Sequence, residues 1–388
     1  MPARYLIPTG ISRSLLTLFV LCAPPAFASD DDPRAREAGV APGIYEPGRL
    51  NAITDVAGVK VGQVSIIEGE DIRTGVTAIL PHGGNLYQDK VPAGYAQGNG
   101  YGKMMGTTQV IELGELETPV LLTNTLSVAE AAAGSIEWTL AQPGNERVRS
   151  VNAVVGETND ANINNIRARA VRPEHAIEAI AAATDGAVEE GSVGAAMGTV
   201  TFGWKGGIGT SSRVLPVADG GFTVGVLVQT NYGGELHIMG VPMSPQALAS
   251  ATQRVPQDPT PDGSIMIIIA TDAPLSDRNL HRLASRSFLG LARTGSAMSN
   301  GSGDYALAFS TAEAVRRTPE RREQGHSIEA WPNDLMTPLF QAVVEATEEA
   351  IYNALFKASD VRGVNGDRHP QLPVGGGLQI LRERGVIE

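Results

Sequence analysis

A continuous apolar segment from Ile265 to Ala270 directly follows a sequence that is typical of a loop. Three prolines and two aspartates between residues 256 and 262, followed by Gly263, keep that stretch out of helix and sheet. The isoleucines after it are β-branched, and no polar residue alternates with them, which is typical of a strand buried on both faces. Ser264 is therefore predicted to be the first residue of a core strand, directly after an exposed loop.

Strand and helix patterns alternate along the rest of the chain. Strands are predicted within 51–62 and at 74–81, 119–124, 151–157, 221–231, 264–270 and 305–310, and helices at 127–140, 173–184, 276–291 and 334–358. The strands are too numerous for a helical bundle, so we predict an α/β (α+β) protein that forms a layered αββα sandwich. Two glycine-rich stretches, 94–103 and 194–213, indicate closely packed backbone, the first as a loop that borders a site or a subunit contact.

The first 28 residues have the pattern of a secretory signal peptide. Arg4 and Arg13 supply positive charge, residues 15–23 are apolar, and Ala26-Phe27-Ala28 is a small-x-small cleavage site. The apolar run is too short to span a membrane, and the sequence has no other run of about 18 apolar residues. We therefore expect a protein of the periplasm or the extracellular space, with no membrane partner.

Residues 29–48 are charged and contain proline, which predicts a flexible leader ahead of the folded part. The single cysteine, Cys22, lies within the predicted signal peptide, and Leu21 before it is not the small residue that a lipid-anchor site requires. The mature chain is therefore expected to lack disulfides, a thiol nucleophile and thiolate metal ligands.

Composition and charge exclude several classes of function. The chain has 388 residues and a formal net charge of −12, and no local cluster of lysine and arginine offers a surface for nucleic acid. The six histidines are scattered and no carboxylate cluster has metal-ligand spacing, so we predict neither a metal nor another cofactor. A Gly-x-Ser-x-Gly elbow is also absent from the sequence.

Ser264 nevertheless offers a specific chemistry. If the chain is cut between Gly263 and Ser264, one residue at the start of a rigid strand carries both a hydroxyl and an α-amine. The α-amine has a pKa of about 7.7 to 8.0, so it can accept the hydroxyl proton near neutral pH. A glycine and a serine before a strand are by themselves also compatible with an ordinary loop end.

Several motifs, taken in order, resemble the DmpA-type family of L-aminopeptidase/D-esterases and β-peptidyl aminopeptidases. The resemblance spans about residues 48 to 385 and is carried by Asn51–Gly62, Glu157–Asp160, Gly203–Arg213, Val228–Asn231, Gly263-Ser264, Ala270–Pro274 and Ser299–Asp304. It implies an N-terminal-nucleophile-like sandwich that processes itself before Ser264. After the signal peptide (1–28) and the leader (29–48), an α chain (49–263) and a β chain (264–388) would then form one catalytic domain.

The resemblance also implies a role for each matching residue. Ser264 matches the nucleophile, and Asn231 matches the side-chain donor of the oxyanion hole. Ser302 and Asp304 match the polar pair that orients the nucleophile and supports proton transfer, with Asp304 at a place where some relatives have glutamate. Glu157 matches the carboxylate that binds the free amine of the substrate.

Asn159 lies where the L-aminopeptidase/D-esterase type carries tyrosine, which favours the β-peptidyl branch. The first hypothesis is therefore a self-processed aminopeptidase that removes β-amino or small L-amino acid residues from short peptides, amides and esters. The second is an L-aminopeptidase/D-amino-acid esterase, and the third a non-catalytic periplasmic binding protein on the same fold. The resemblance further implies a homo-oligomer, a tetramer of αβ units.

Overall fold

The computed structural model describes Met1, residues 32–248 and residues 263–388. Residues 2–28 of the predicted signal peptide and the proline-rich loop up to residue 262 lie outside the described residues. The strands are β1 (Lys60–Glu68), β2 (Ile72–Leu80), β3 (Val91–Gly100), β4 (Met104–Met105), β5 (Glu115–Leu116), β6 (Val120–Asn124), β7 (Val154–Thr158), β8 (Val200–Thr201), β9 (Trp204–Lys205), β10 (Ile208–Val214), β11 (Thr223–Asn231), β12 (His237–Ile238), β13 (Val241–Pro242), β14 (Ser264–Thr271), β15 (Gly303–Ser310), β16 (Val361–Arg362) and β17 (Arg368–His369). The α-helices are α1 (Thr107–Leu113), α2 (Val128–Leu140), α3 (Pro173–Ala181), α4 (Pro245–Leu248), α5 (Asp277–Arg293), α6 (Pro319–Glu323), α7 (Thr337–Phe356) and α8 (Val374–Glu383).

Two main sheets lie face to face, and each carries helices on its outer side. Sheet I has the strand order β1-β2-β6-β7-β4, and sheet II has the order β10-β11-β14-β15-β3-β5. Neighbouring strands are antiparallel except for the pairs β6–β7 and β14–β15. Helices α2 and α3 pack on sheet I, and α5 and α7 pack on sheet II. The predicted four-layer αββα sandwich is confirmed.

Three apolar clusters fill the spaces between the layers, and β14 contributes to two of them. Ile265, Ile267 and Ile269 pack towards α5 and α7, whereas Met266 and Ile268 pack towards sheet I. Every residue of β14 is buried, as the run of isoleucines predicts. Each fully buried isoleucine side chain stabilises the fold by about 1.5 to 3 kcal/mol relative to an exposed one, so the start of β14 is firmly held.

Residues 94–100 form part of β3, so the prediction of a glycine-rich loop over 94–103 is wrong for most of that stretch. The glycines reflect close packing: a Cβ at Gly94 would lie 2.1 Å from the backbone nitrogen of His281 in α5. A side chain at this position would push the helix off the sheet. Glycine in a strand thus permits a helix backbone to pack closely against the sheet, although in the sequence alone the same residue predicts a turn.

The described part of the predicted flexible leader is packed onto the domain, which corrects that prediction. Arg34 donates to Glu190 at 2.6 Å and to the carbonyl oxygen of Thr210 at 2.8 Å, and the Ala35 N–H donates to Asn353 at 2.9 Å. Arg36 forms an ion pair with buried Glu349 at 2.8 Å. Two of the charges that suggest a solvated segment in the sequence, those of Arg34 and Arg36, instead pair with carboxylates of the domain.

Across the described residues, the helices are all too short or too polar to cross a membrane.

Candidate active site

A cavity of about 340 Å³ opens at the N-terminal end of β14. It lies between the two sheets, next to the end of β7 in sheet I and the adjoining ends of β11 and β14 in sheet II. Five of the site residues predicted from the sequence line this cavity: Glu157, Asn159, Asn231, Gly263 and Ser264. The remaining lining residues are Tyr101, Gly102, Thr125, Ala161, Asn162 and Gly301.

Ser264 lies at the centre of the site because β14 lies between β11 and β15. In the register of sheet II, Ser264 is opposite Asn231 on one side and Gly303 on the other. Its hydroxyl donates to the carbonyl oxygen of Gly263 at 2.6 Å, and the Gly303 N–H donates to the same oxygen at 2.9 Å. The hydroxyl is therefore adjacent to the carbonyl that precedes it, and a backbone donor polarises that carbonyl. An attack of the hydroxyl on the preceding peptide bond needs such an arrangement.

The backbone around Gly263 leaves no room for a side chain. A Cβ on Gly263 would lie 2.3 Å from the carbonyl oxygen of Asn231 and 2.4 Å from Cα of Tyr232. Any larger residue would force β11 and the start of β14 apart, so glycine at this position keeps the Ser264 hydroxyl close to the carbonyl before it.

Asn231, the last residue of β11, has a side chain whose orientation is set by one hydrogen bond. Its Oδ1 accepts from the Val200 N–H at 3.0 Å. This bond fixes the orientation of the side-chain amide, with Oδ1 towards Val200 and Nδ2 free to donate a hydrogen bond into the cavity. The arrangement suits a donor for a negatively charged oxygen on an atom under attack by Ser264.

Ser302 and Asp304 flank Gly303 and are buried, but they do not line the cavity. The Ser302 hydroxyl donates to Asp304 Oδ1 at 2.8 Å, and Oδ2 of the same carboxyl has no hydrogen-bond partner among the described residues. Burial raises the pKa of Asp304 to about 6, although the hydrogen bond from Ser302 lowers this pKa in part. The pair therefore lies beside the residue opposite Ser264 and makes no hydrogen bond to Ser264 in this structure.

Asn99 holds the turn that leads into β15, a contact that the sequence analysis missed. Its side-chain amide donates to the carbonyl oxygens of Ser302 at 2.6 Å, Ser299 at 2.8 Å and Asn300 at 3.2 Å. The Tyr101 N–H adds a bond of 3.1 Å to Ser302. These donors fix the turn and thereby the direction of the Gly303 N–H.

Glu157, the residue before the last one of β7, presents a nearly buried carboxylate, exposed by only 2%. Its Oε1 accepts from the Lys103 N–H at 3.1 Å and from the Lys103 ammonium at 2.9 Å, while Oε2 accepts from the Thr125 hydroxyl. The carboxylate is thus held in a fixed orientation and already binds a cation. Sequence reasoning missed both Lys103 and Thr125.

Asn159 lies on the exposed rim of the cavity. Its Oδ1 accepts from the Ala161 N–H at 3.0 Å, which closes a local turn. The side chain is therefore part of the loop that bounds the cavity beyond Glu157.

Lys205 is a fully buried lysine that the sequence did not single out. Its ammonium donates to the carbonyl oxygens of Ala196 at 2.8 Å and Gly206 at 2.7 Å. Burial lowers its pKa to about 7, and burial likewise raises the pKa of Asp160 to about 6. These groups lie outside the cavity, so they concern the stability of the fold rather than the site.

Within the described parts of the chain, no three or more histidine, cysteine, aspartate or glutamate side chains come together as metal ligands would.

Comparisons with known proteins agree with this geometry. The model of peptidase family S58 matches residues 51–369. A β-peptidyl aminopeptidase, BapA, from Sphingosinicella microcystinivorans is 42% identical over 368 residues, which is 89% of this chain and 91% of that protein. BapA from Sphingosinicella xenopeptidilytica is 37% identical over 398 residues, with 97% of both chains covered.

A solved structure of the L-aminopeptidase D-Ala-esterase/amidase from Ochrobactrum anthropi superposes with a TM-score of 0.84 at 35% identity. The match covers 92% of this chain and 100% of that one, and that enzyme is described as a serine aminopeptidase with a variant of the Ntn hydrolase fold. The chain therefore belongs to peptidase family S58 and is an aminopeptidase with the Ntn hydrolase fold.

Proposed function

We propose that this aminopeptidase cuts its own chain between Gly263 and Ser264 and then uses Ser264 to remove N-terminal β-amino acid residues, and some small L-amino acid residues, from short peptides, amides and esters. The observation that carries the proposal is the meeting of Ser264, Asn231 and Glu157 at one cavity. A nucleophile, an oxyanion donor and an amine-binding carboxylate are what release of an N-terminal residue requires.

Processing would begin with attack of the Ser264 hydroxyl on the Gly263 carbonyl carbon. The hydroxyl lies 2.6 Å from the carbonyl oxygen, and the Gly303 N–H can stabilise the charge that develops there. The peptide C–N bond then breaks as an ester forms, the nitrogen takes a proton, and water hydrolyses the ester. Ser264 is left with a free α-amine and a free hydroxyl.

Turnover would use the same atoms on a substrate. Glu157 binds the ammonium of the substrate, and the α-amine of Ser264 takes the hydroxyl proton as the oxygen attacks the scissile carbonyl. Asn231 Nδ2 donates to the oxyanion, the leaving amine departs with a proton, and water releases the acyl group from Ser264. Ser302 and Asp304, beside the strand position opposite Ser264, would orient the new amine.

A preference for β-amino acids is supported by two relatives. Both BapA proteins carry the name β-peptidyl aminopeptidase, at 42% and 37% identity. Asn159 on the cavity rim, where the L-aminopeptidase/D-esterase type carries tyrosine, favours the same branch. The second candidate, an L-aminopeptidase/D-amino-acid esterase, is supported by the structural match to the enzyme from Ochrobactrum anthropi.

The test combines processing and specificity. Intact mass spectrometry of the wild type should give two chains, the smaller beginning at Ser264, whereas Ser264→Ala should stay in one piece and lack activity. Ser285→Ala, at a partly buried serine in α5 outside the cavity, is the control and should be cut normally. Rates on β-alanyl and L-alanyl p-nitroanilide then separate the two candidates, since a strong L-alanyl preference contradicts the first. An uncut, inactive wild type would favour the non-catalytic binding protein.

We further propose export and a tetramer of αβ units. The signal-peptide pattern of residues 1–28 supports export to the periplasm or beyond, and the family resemblance supports the tetramer. A secreted chain beginning at Ser29 and a light-scattering mass of four αβ units are the expected results.

A further inference from the structure

The Lys103 ammonium already occupies the carboxylate that the proposed function assigns to the substrate. Its Nζ lies 2.9 Å from Glu157 Oε1 and 3.4 Å from the carbonyl oxygen of Thr125. The two partners differ in exposure, because the lysine side chain is 46% exposed and the glutamate side chain 2%. Lys103 comes from the solvent side, whereas Glu157 belongs to the wall of the cavity.

The other ligands of Glu157 are fixed. The Lys103 N–H is part of the backbone that leads into β4, and β4 pairs with β7 at Met104 and Gly156. The Thr125 hydroxyl belongs to the residue immediately after β6, so its position is set by that strand. The lysine ammonium is different, since it ends a flexible, half-exposed side chain that water can solvate equally well.

An incoming substrate ammonium must therefore displace the Lys103 ammonium from Glu157 or share the carboxylate with it. Displacement breaks an existing ion pair, and sharing brings two positive charges close together. Both raise the free energy of the bound substrate, and neither alters the atoms at Ser264.

We propose that Lys103 is a specificity-determining residue that competes with the ammonium of the substrate for Glu157 and so raises KM for substrates with a free amine. This inference rests on the proposed function of Glu157. The effect belongs to substrate binding, so it changes KM rather than kcat.

The experiment measures kcat and KM on β-alanyl p-nitroanilide for the processed wild-type enzyme and its variants. Lys103→Met and Lys103→Gln, two neutral side chains of similar length, should each lower KM about two- to five-fold, the upper part of the range that surface ion pairs contribute, because only the lysine of this pair is exposed. Lys103→Arg, which keeps the cation, should keep the high KM. Lys60→Met, a lysine in β1 away from the cavity, is the control for loss of a positive charge.

Glu157→Gln separates failure of this inference from failure of the proposed function. An unchanged KM in Glu157→Gln would contradict the assignment of Glu157 as the amine-binding carboxylate, and the inference about Lys103 would fail with it. A raised KM in Glu157→Gln together with an unchanged or raised KM in both neutral Lys103 variants leaves the amine site standing and overturns the inference. A lower kcat and melting temperature in both neutral variants, without a lower KM, would assign Lys103 a structural role and also overturn it.

Discussion

The Ser264 hydroxyl lies 2.6 Å from the carbonyl oxygen of Gly263, the residue immediately before it. Ser264 is held there because β14 is buried along its whole length and pairs with a strand on each side. The hydroxyl and the carbonyl that the proposed processing step would join are thus positioned before any substrate is present, and folding has already met the entropy cost of bringing them together. This rigidity makes the neighbouring residues sensitive to small displacements.

Gly303→Ala should slow processing strongly. A Cβ at this position would lie 2.1 Å from the carbonyl oxygen of Tyr101 and 3.2 Å from the Ser264 hydroxyl, so β15 must shift. The Gly303 N–H then moves away from the Gly263 carbonyl that it polarises. The cut fraction, followed over time by mass spectrometry, measures the effect. Gly375→Ala, where a Cβ meets nothing within 4 Å, is the matched control, and cutting at the wild-type rate in Gly303→Ala contradicts the role of this donor.

Asn231→Ala should lower kcat about 10²- to 10³-fold, the usual cost of one oxyanion donor. Asn231→Asp can still accept from the Val200 N–H but has no donor to offer the oxyanion, and it should lose at least as much. Steady-state kinetics on an aminoacyl anilide measure both variants. Asn333→Ala on the surface serves as control. A wild-type kcat in Asn231→Ala would show that a group other than Asn231 stabilises the oxyanion.

Asn99→Asp should impair both processing and turnover although its shape is nearly unchanged. The substitution replaces a donor to three carbonyl oxygens with a carboxylate that repels them, so the turn before β15 loses its fixed geometry. Displacement of reacting groups by about 1 Å can cost about 10²-fold in rate, and we expect a loss of at least about ten-fold. Asn365→Asp, at an exposed position, should behave as wild type. Equal rates in the two variants would show that the turn needs no such donor.

Lys205→Met should remove a pH dependence of stability. The pKa of Lys205 is about 7 in the folded protein and 10.5 as its ordinary value, so between these values the unfolded chain binds a proton that the folded protein does not. The unfolding free energy of the wild type therefore rises with pH above 7, by about 1 kcal/mol per pH unit. Urea unfolding at pH 7 and 9, in a Ser264→Ala background that keeps one chain, compares the slopes. The same slope with and without Lys205 contradicts the shift.

The sequence predicts β14 and the four layers well because these depend on local patterns. Ile265 to Ile269 form a run that only a doubly buried strand accommodates, and α5 shows both its cap, Ser276, and its apolar face. Glycine is the main source of error, because Gly94 serves close packing of a helix on β3 rather than a turn. A single sequence contains no signal that separates these two uses.

The site is only partly accessible to sequence reasoning. Ser264, Asn231 and Glu157 stand at strand boundaries, and the structure brings them to one cavity. The role of the Gly303 N–H cannot be recognised from the sequence, because every residue except proline carries a backbone N–H. Lys103 meets Glu157 only because β4 pairs with β7, a contact between segments more than fifty residues apart. Such non-local contacts require the fold.

The pairing of β14 has a consequence for how the enzyme would persist after the proposed cut before Ser264. The segment after Ser264 contributes β14, β15 and α7, and these pair or pack with β11, β3 and β10 from the segment before it. An intact chain forms this sheet in a unimolecular step, with its halves at high effective concentration. Once cut, unfolded halves must meet by diffusion, so recovery after denaturation becomes concentration-dependent. The lifetime of the mature enzyme is then set by its rate of unfolding rather than by an equilibrium with the unfolded chains.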